Sequence, residues 1–470
     1  MRSSLTLRSL VCCSLCMITA LAAHEVRCAD EIPAKLSLKN AVAIALGVHA
    51  SLKESENSYQ NAVANLRIAG YRTSLDVGSS ASLQRSSGES DTSGLLFGNL
   101  TYENLQGVQG SFDVSPYSQG TDRGSVTLAL RQPLTAGRGE LSAKSLNVFG
   151  ARATADIRER ELVIMRQATV LGVVKAYYMV LLAREQIKVQ ERSAEIADEA
   201  AGITRRRANA LLITEYEAAQ AELNAAQTKN QLNIQRQSAK GALEELLVAM
   251  GLGVGQTPEL TDPLPTGEVK VPDLATALQT ALDRRSELAA YDMRLVDQTR
   301  RLGAAKDDLH SRTDAVLRFN SRNDDVGLMS RSVFDNGTLT AGVEYSFPID
   351  NRVTEQKRDN VERDLDLTKQ LRLFETEKVA EEVRNACRAV ESARLSLEIF
   401  SQNMKLADDN VRRAQRMMEE DLGTTRDVLD AQASLFRVEG GRLSALIDLY
   451  LASMNLKYAM GEDLATVVLK

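Results

Sequence analysis

Two carboxylates stand three residues apart, at Asp427 and Asp430, in the stretch GTTRDVLDAQASL. This spacing places both on nearly one face of a helix. If Thr424 is the N-cap, Asp427 occupies the third helical position, which is the spacing of a capping box and suits the helix dipole. Asp427 is therefore a candidate for a local cap or for a charged functional site. For Asp430 the charged site is the better interpretation.

The rest of the chain offers little chemistry. Its three histidines, His24, His49 and His310, are far apart and have no cysteine or acidic partner at metal-ligand spacing. The sequence contains no phosphate-binding glycine loop, no Gly-x-Ser-x-Gly and no His-Glu-x-x-His. We therefore expect no enzyme activity, no cofactor and no bound metal. The net charge of −6 does not indicate a nucleic-acid partner.

The N-terminus predicts export. Residues 1–22 combine two arginines, a short apolar stretch and an Ala-Leu-Ala cleavage site, which is typical of a signal peptide. The alternative, a membrane anchor, is disfavoured because the apolar stretch is too short to span a bilayer comfortably. Of five cysteines only Cys28 and Cys387 remain after cleavage, so we expect neither a disulfide framework nor a lipid-modified cysteine.

The sequence repeats itself. The segment LLITEYEAAQAEL at Leu211–Leu223 resembles GTTRDVLDAQASL at Gly423–Leu435, and similar pairs occur for LSLKNAVAIAL with PDLATALQTAL, LRQPL with YSFPI, and AMG with AMG. Such self-similarity predicts a duplicated fold. The predicted parts are a first repeat at 31–251, a proline-rich linker at 252–272, a second repeat at 273–461 and a tail at 462–470.

Within each repeat the periodicity changes from helix to strand and back. Opening helices run from Leu38 to about Arg72 and from Leu274 to about His310. Alternating apolar residues then predict two-stranded hairpins at about 74–134 and 313–348, and the first has a long loop rich in Gly and Ser. Long helices follow at about 139–209 and 351–421, each ~100 Å at 1.5 Å per residue. Return helices are predicted at about 214–250 and 425–460.

The second long helix carries a heptad seam with alanine at most of its second positions, which permits close approach of helices. The seam positions are Val383, Ala386, Val390, Ala393, Leu397, Phe400, Met404, Ala407, Val411, Ala414 and Met418. In the first long helix, Leu162–Ala183 is apolar enough to suggest a transmembrane span. Arg166 and Lys175 oppose that interpretation, so we expect this segment to pack in the middle of a helical tube.

Four strands cannot close a barrel, and an open sheet cannot face lipid. The long helices likewise have apolar seams and no globular core. We therefore predict a mainly α homo-oligomer in which several chains share a β-barrel at one end and a helical tube at the other. Neutral amides on the first return helix, from Gln220 to Gln237, fit either a polar lumen or an ordinary solvent face.

The chain resembles the TolC family of outer-membrane efflux proteins over about residues 31–465. The resemblance rests on the duplicated order of elements and on RQPLTAGR, SFPIDNR, LGTTRDVLDAQASL and AMGEDL. It implies a homotrimer with duplicated α-helical hairpins forming a periplasmic tunnel. It also implies that four strands per chain form a 12-stranded barrel in outer-membrane lipid, and that a periplasmic adaptor and an inner-membrane pump are the partners.

The resemblance also implies a gate. Acidic residues at the start of the last return helix match Asp427 and Asp430, and three copies would gather six carboxylates, which narrows a pore and favours cations. Glu215 is the expected counterpart in the first repeat, and Arg426 or the run Arg205–Arg207 is the expected partner; such a run also fits a solvated face. The helix-turn tips expected to contact the adaptor are Leu211, Thr214, Gly423 and Thr424.

The sequence thus predicts a passive exit duct for substrates delivered by an inner-membrane pump. The alternative on the same fold is the exit duct of a type I protein secretion system. A soluble periplasmic coiled-coil scaffold or adaptor is the alternative of another class. Adaptors usually join one helical hairpin to domains of short strands, whereas this chain has two helical hairpins and few strands.

Overall fold

The computed structural model describes residues 35–86, 89–118, 124–265, 272–323, 337–347, 349–420 and 422–469. The predicted signal peptide, residues 1–22, lies outside these ranges, as does part of the predicted linker. The described chain is mostly helical, with one six-stranded sheet and one pair of two-residue strands. The prediction of a mainly α chain with a small β part is confirmed.

The elements fall into two series of the same order. The first is β1 (Lys35–Leu36), α1 (Leu38–Val48), α2 (Ala50–Gly70), β2 (Thr73–Ser86), β3 (Glu89–Glu103), β4 (Gln109–Ser118), β5 (Gly124–Pro133), α3 (Ala143–Asn209) and α4 (Glu215–Ala249). The second is β6 (Glu259–Leu260), α5 (Leu274–Arg284), α6 (Ser286–Asp307), β7 (Arg312–Asn323), β8 (Thr338–Ser346), α7 (Arg352–Glu419), α8 (Thr425–Ala459) and α9 (Leu464–Leu469). Matching helices have matching lengths: α3 and α7 have 67 and 68 residues, and α4 and α8 have 35 each.

The opening helix of each series is broken, where the sequence predicts one continuous helix. The breaks fall at His49 and Arg285, each after a helix of 11 residues. The cause is the end of the return helix, which packs against the break. Gly251 and Gly461 both have positive φ, and a Cβ on Gly251 would lie 2.9 Å from the Cα of His49. In each repeat, the Ala-Met-Gly sequence at the end of the return helix thus packs against the break in the opening helix.

The main core lies halfway along α3, where α1, α4, α8 and α9 pack on it. Its largest fully buried side chains include Tyr177, Leu246 and Ile447. Leu162–Ala183 contributes most of the α3 side of this core, so the expectation that it packs in the middle of the helical region is confirmed. Across the described residues, none of the helices combines the length and apolarity needed to cross a bilayer.

The segment after the first repeat is tied to this core by one carboxylate. Asp262 accepts from the Tyr177 hydroxyl at 3.0 Å and from the backbone N–H of Leu38 at 2.7 Å. Burial raises the pKa of Tyr177, so its hydroxyl stays protonated and donates. The parallel pair β1–β6 continues the attachment. The start of α1 and the segment that joins the repeats are therefore fixed to the same point on α3.

The heptad seam of α7 faces α8. Val383, Ala386 and Val390 are buried on the part nearest the second core, and Ala407 and Val411 are buried nearer the turn. Only Met418, at the end of the helix, is exposed among the predicted seam positions. The seam prediction is confirmed up to the last turn, where Met418 stays exposed.

The helices pack side by side in layers, and no contact joins the two margins of these layers among the principal contacts of the described residues. On the side of the strands the principal contacts run α2–α3–α6–α7, and on the side of the turns they run α4–α3–α8–α7. One margin of these layers is formed by α2 and α4, and the other by α7 along its whole length. Both margins carry exposed apolar side chains, among them Leu223 and Ile234 on α4 and Leu395, Ile399 and Leu406 on α7.

The sheet corrects the predicted strand count. Its order is β2-β3-β4-β5-β7-β8, all antiparallel, so the chain contributes six strands to it and not four. The two additional strands, β3 and β4, come from the segment that the sequence predicts to be the loop of the first hairpin. Gly and Ser residues there favour a loop by composition, but the pairing partners on both sides override that preference.

We expect Gly251→Ala to destabilise the protein by roughly 2 kcal/mol. The alanine is strained at positive φ, and its Cβ meets the backbone of His49. Gly241→Ala is the matched control, because Gly241 lies inside α4 with open space around it and alanine favours helix there by about 0.5–1 kcal/mol. Unfolding of the purified protein in detergent measures both. Equal stability of the two variants would contradict the proposed packing of Gly251 against His49.

Candidate gate and helix-turn tips

The two long helices end in turns of similar construction. At the end of α3, the N–H of Leu212 bonds to the carbonyl of Arg207 and the N–H of Leu211 to that of Ala208, which is a Schellman motif. At the end of α7, the N–H of Leu422 makes the equivalent bond to Met417. Both turns then lead directly into a capped return helix.

Capping boxes start both return helices. Thr214 exchanges bonds with Glu217, and Thr424 with Asp427. The Asp427 carboxylate accepts from the Thr424 N–H at 2.8 Å and from its hydroxyl at 2.7 Å. These hydrogen bonds lower the pKa of Asp427. A lowered pKa means that the stabilisation is present at neutral pH and is lost as the pH falls through that value.

Asp430, unlike Asp427, is not part of the capping box. Its side chain is 75% exposed, and its nearest cation is the Arg426 guanidinium, whose Nε lies 3.7 Å from the carboxylate. Arg426 also donates to the Gln220 side chain of α4 at 3.4 Å. Pairs this exposed contribute little to stability. Asp430 is therefore an exposed charge without a capping role, and Arg426 joins the two return helices near their starts.

Glu215 is not placed beside the other predicted gate residues. It is 81% exposed and pairs with Arg205 at 2.8 Å, and Arg205 also lies 3.3 Å from Glu222. One arginine of the predicted run thus serves the first repeat alone. The structural counterpart of Asp427 is Glu217, since both occupy the third position of their helices. Aligning the repeats on their Ala-Gln-Ala sequences shifts this register by two residues, and for that reason the sequence prediction paired Glu215 with Asp427.

The turns expose apolar side chains where loops are usually polar. Leu211, Leu212 and Leu422 are 92%, 69% and 70% exposed, and Tyr216 is 74% exposed. Gly423 lies against Met417, with 3.1 Å between its would-be Cβ and the Cβ of Met417. Sequence reasoning identified Leu211, Thr214, Gly423 and Thr424 but missed Leu212, Leu422 and Tyr216. Apolar residues between two helices were the available signal.

Leu211 is also strained. It is the only non-glycine residue with positive φ in the described part of the chain, at 59°. This conformation costs a leucine roughly 1–2 kcal/mol, and glycine is the usual residue there. An exposed apolar side chain kept at a strained position suggests a role outside the isolated chain.

The sequence and the fold were compared with those of known proteins. The family model described as Outer membrane efflux protein matches residues 42–252. The fold resembles the solved structure of CusC with a TM-score of 0.71 and 16% identity, covering 90% of this chain and 92% of that one. VceC from Vibrio cholerae gives 0.69 and 16%, covering 90% and 96%, and CmeC from Campylobacter jejuni gives 0.67 and 15%, covering 94% and 90%. No curated protein matches the sequence.

We expect Leu211→Gly to raise stability by about 0.5–1 kcal/mol, the relief of strain less the greater freedom of glycine in the unfolded chain. Leu212→Gly is the matched control, because Leu212 is also exposed but lies outside the positive-φ region. It should lower stability by a similar amount. Denaturant unfolding compares the two. A loss of stability in both variants would show that Leu211 is not strained.

Proposed function

Since the model of the outer membrane efflux protein family matches residues 42–252 and the fold resembles solved outer-membrane channels, we propose that the chain is the outer-membrane channel of a tripartite efflux system. Its sheet lies in the outer membrane and its long helices extend into the periplasm. The duct is passive: an inner-membrane pump delivers the substrate through a periplasmic adaptor, and this chain forms the exit. The family consists of channel proteins, and the mechanism requires only a path, its gate and its docking surfaces.

The observation that carries this proposal is that both layers of the chain are incomplete at both margins. Among the described strands, β2 and β8 each pair on one side only. In lipid every backbone N–H and C=O must be paired, so these two edges need partners. Pairing the β8 edge of one copy with the β2 edge of the next closes a ring, as a head-to-tail interface does when its rotation closes.

The helices support the same closure. Leu395, Ile399 and Leu406 lie on one face of α7 and are 54%, 56% and 59% exposed. The opposite margin offers Leu223 and Ile234 on α4, which are 58% and 52% exposed. A ring of copies would bury α7 of one against α4 of the next. The resemblance sets the number of copies at three, so we infer a homotrimer with a continuous helical tunnel.

The sheet argues against a soluble scaffold. One of its faces is apolar on all six strands and exposed to the outside of the chain. Its exposed members are Leu75, Val77, Leu100, Tyr102, Phe112, Leu128, Leu130, Leu317, Leu339, Val343 and Tyr345. Monomeric soluble proteins rarely expose so large an apolar patch, whereas lipid hydrocarbon covers it without loss.

The tips are the proposed adaptor contacts. Leu211, Leu212 and Leu422 form exposed apolar points at the end of the tunnel farthest from the sheet, with Thr214 and Thr424 beside them and Gly423 in the second turn. A strained Leu211 is explained if it packs into an adaptor surface. On this proposal Leu211→Gly binds the adaptor more weakly although the protein itself becomes more stable.

The gate is proposed at the same end. Three copies place three Asp430 carboxylates, each free of structural hydrogen bonds, near the mouth formed by the starts of the return helices. The Asp427 carboxylates add charge that their lowered pKa keeps ionised. A ring of acids attracts cations and repels anions at the narrowest point. The Arg426–Gln220 contact joins α8 to α4 beside these carboxylates in each chain.

The assembly is tested by placing a charge on the exposed face of α7. We expect Ile399→Glu to prevent trimer formation, because burying an unpaired carboxylate in the interface is strongly unfavourable. Lys405→Glu is the control, since Lys405 is exposed on another face of the same helix. Native mass spectrometry in detergent measures the trimer, and circular dichroism checks that the helices are retained. A trimer that tolerates Ile399→Glu would exclude the proposed interface.

Conductance in planar bilayers tests the gate. We expect Asp430→Asn to reduce the preference for cations severalfold without lowering stability, since this carboxylate supports no cap. Asp427→Asn also removes charge but retains an oxygen that can accept from Thr424, whereas Asp427→Ala removes the cap as well. A cation preference that is unchanged in Asp430→Asn with Asp427→Asn would eliminate the acidic ring and leave the duct in place.

A further inference from the structure

The β3–β4 hairpin reaches the helical end of the sheet. Its turn is bound where α3 begins: the hydroxyls of Ser142 and Ser145 donate to the carbonyl of Leu105 at 2.9 and 2.7 Å. Gly107 fits closely here, since a Cβ on it would lie 2.7 Å from the carbonyl oxygen of Gly137. The turn is thus held at the level where β5 passes into the helices. The hairpin therefore runs down the sheet beside β2 and β5 to their helical end.

The additional strands carry the same two-faced pattern as the others. Leu100 is paired with Leu75 of β2 and with Phe112 of β4, and Phe112 is paired with Leu128 of β5. Opposite residues in an antiparallel pair share a face, so one apolar face continues without a gap from β2 to β5. Leu100, Tyr102 and Phe112 are exposed on it.

The other face of these strands is polar and bonded across the strands. Ser74 of β2 bonds to Thr101 of β3, and Asn99 of β3 bonds to Asp113 of β4. Gln109 donates to Glu103 at 3.3 Å. The register places these residues on the face that carries Thr127 and Arg131 of β5. A sheet with one lipid-like and one water-like face is the pattern of a membrane barrel with an aqueous interior.

We propose that β3 and β4 are two additional membrane-spanning strands, with the apolar face of the hairpin on lipid hydrocarbon and the polar face lining the pore. This rests on the proposed trimeric channel: three copies of six strands close an 18-stranded barrel in place of the 12 strands that the resemblance implies. At 15 and 10 residues, β3 and β4 have the length that a tilted membrane strand needs. Adding strands in a pair leaves the direction of β5 unchanged.

The consequence is a wide exit. Barrel diameter grows roughly in proportion to strand number, so 18 strands give about one and a half times the diameter of 12. Barrels of about this size hold an open aqueous channel rather than a core of side chains. The membrane end of the duct then sets no tight limit on the size of a substrate. Substrates are then selected at the tunnel mouth and by the partners that deliver them.

Fluorophore quenching at single cysteines tests the hairpin in the intact chain. In a Cys28→Ser, Cys387→Ser background, Leu100→Cys and Phe112→Cys report the apolar face, and Thr101→Cys and Ser111→Cys report the polar face. Each labelled trimer is placed in liposomes and exposed to a brominated lipid or to aqueous iodide. We expect the lipid to quench Leu100 and Phe112 at least severalfold more than iodide does, and the reverse at Thr101 and Ser111.

Leu128→Cys and Ala129→Cys on β5 are the matched controls, because they face opposite sides of a strand whose place in the barrel does not depend on the hairpin. If β5 alternates while all four hairpin positions respond to iodide, the hairpin lies in water and the inference fails, but the channel stands. If β5 does not alternate either, the proposed channel itself fails. Electron cryomicroscopy of the unmodified trimer in nanodiscs gives a second measurement: 18 strands in cross-section support the inference, and 12 overturn it.

Discussion

Backbone pairing in a medium without water is the constraint on which this structure depends. A strand in lipid has no solvent to satisfy its N–H and C=O groups, so the open edges at β2 and β8 are compatible with a membrane only when another copy supplies the missing bonds. The same incompleteness recurs in the helices, where apolar side chains on one face of α7 stay exposed among the described residues. The open sheet edges and the exposed helix faces thus call for the same solution, which is the ring of identical copies proposed above.

The junction between sheet and helices connects the two incomplete layers of the chain. It is crossed by the β5–β7 pair, where the first repeat meets the second. Asp314 of β7 is almost fully buried and lies between two guanidinium groups, at 2.6 Å from Arg131 and 3.0 Å from Arg312. Just below, the Asp307 carboxylate accepts from the N–H of Gly137 at 2.7 Å. Removing either arginine would leave the buried Asp314 carboxylate less well compensated, so these pairs link β7 to β5 where the two repeats meet.

Much of this architecture is readable from the sequence because its signals are periodic. Seven-residue spacing fixed the α7 seam, and alternation located β5, β7 and β8. The breaks at His49 and Arg285 were not predictable, because they arise from the packing of Gly251 and Gly461, far away in the chain. The sequence does not predict β3 and β4 because their Gly and Ser content is typical of a loop. The signal that favoured strands was the alternating apolar residues, Leu100 and Tyr102 on β3 and Phe112 on β4.

The candidate site shows a different limit of sequence reasoning. The acids Asp427 and Asp430 were found by their spacing, yet only coordinates separate the carboxylate that caps α8 from the one that is free. Sequence identity gives a wrong alignment of the two helix starts. Matching the Ala-Gln-Ala sequences shifts one helix by two residues relative to the alignment of the capping threonines. Thr214 and Thr424 set the register physically, since each must satisfy the same unpaired N–H groups. Where sequence identity and capping hydrogen bonds give different alignments of the two repeats, we use the hydrogen bonds. In that alignment Gln220 is equivalent to Asp430. The first repeat thus has an amide at this helix position and the second repeat has a carboxylate, so only the second repeat carries the acid on which the proposed gate depends.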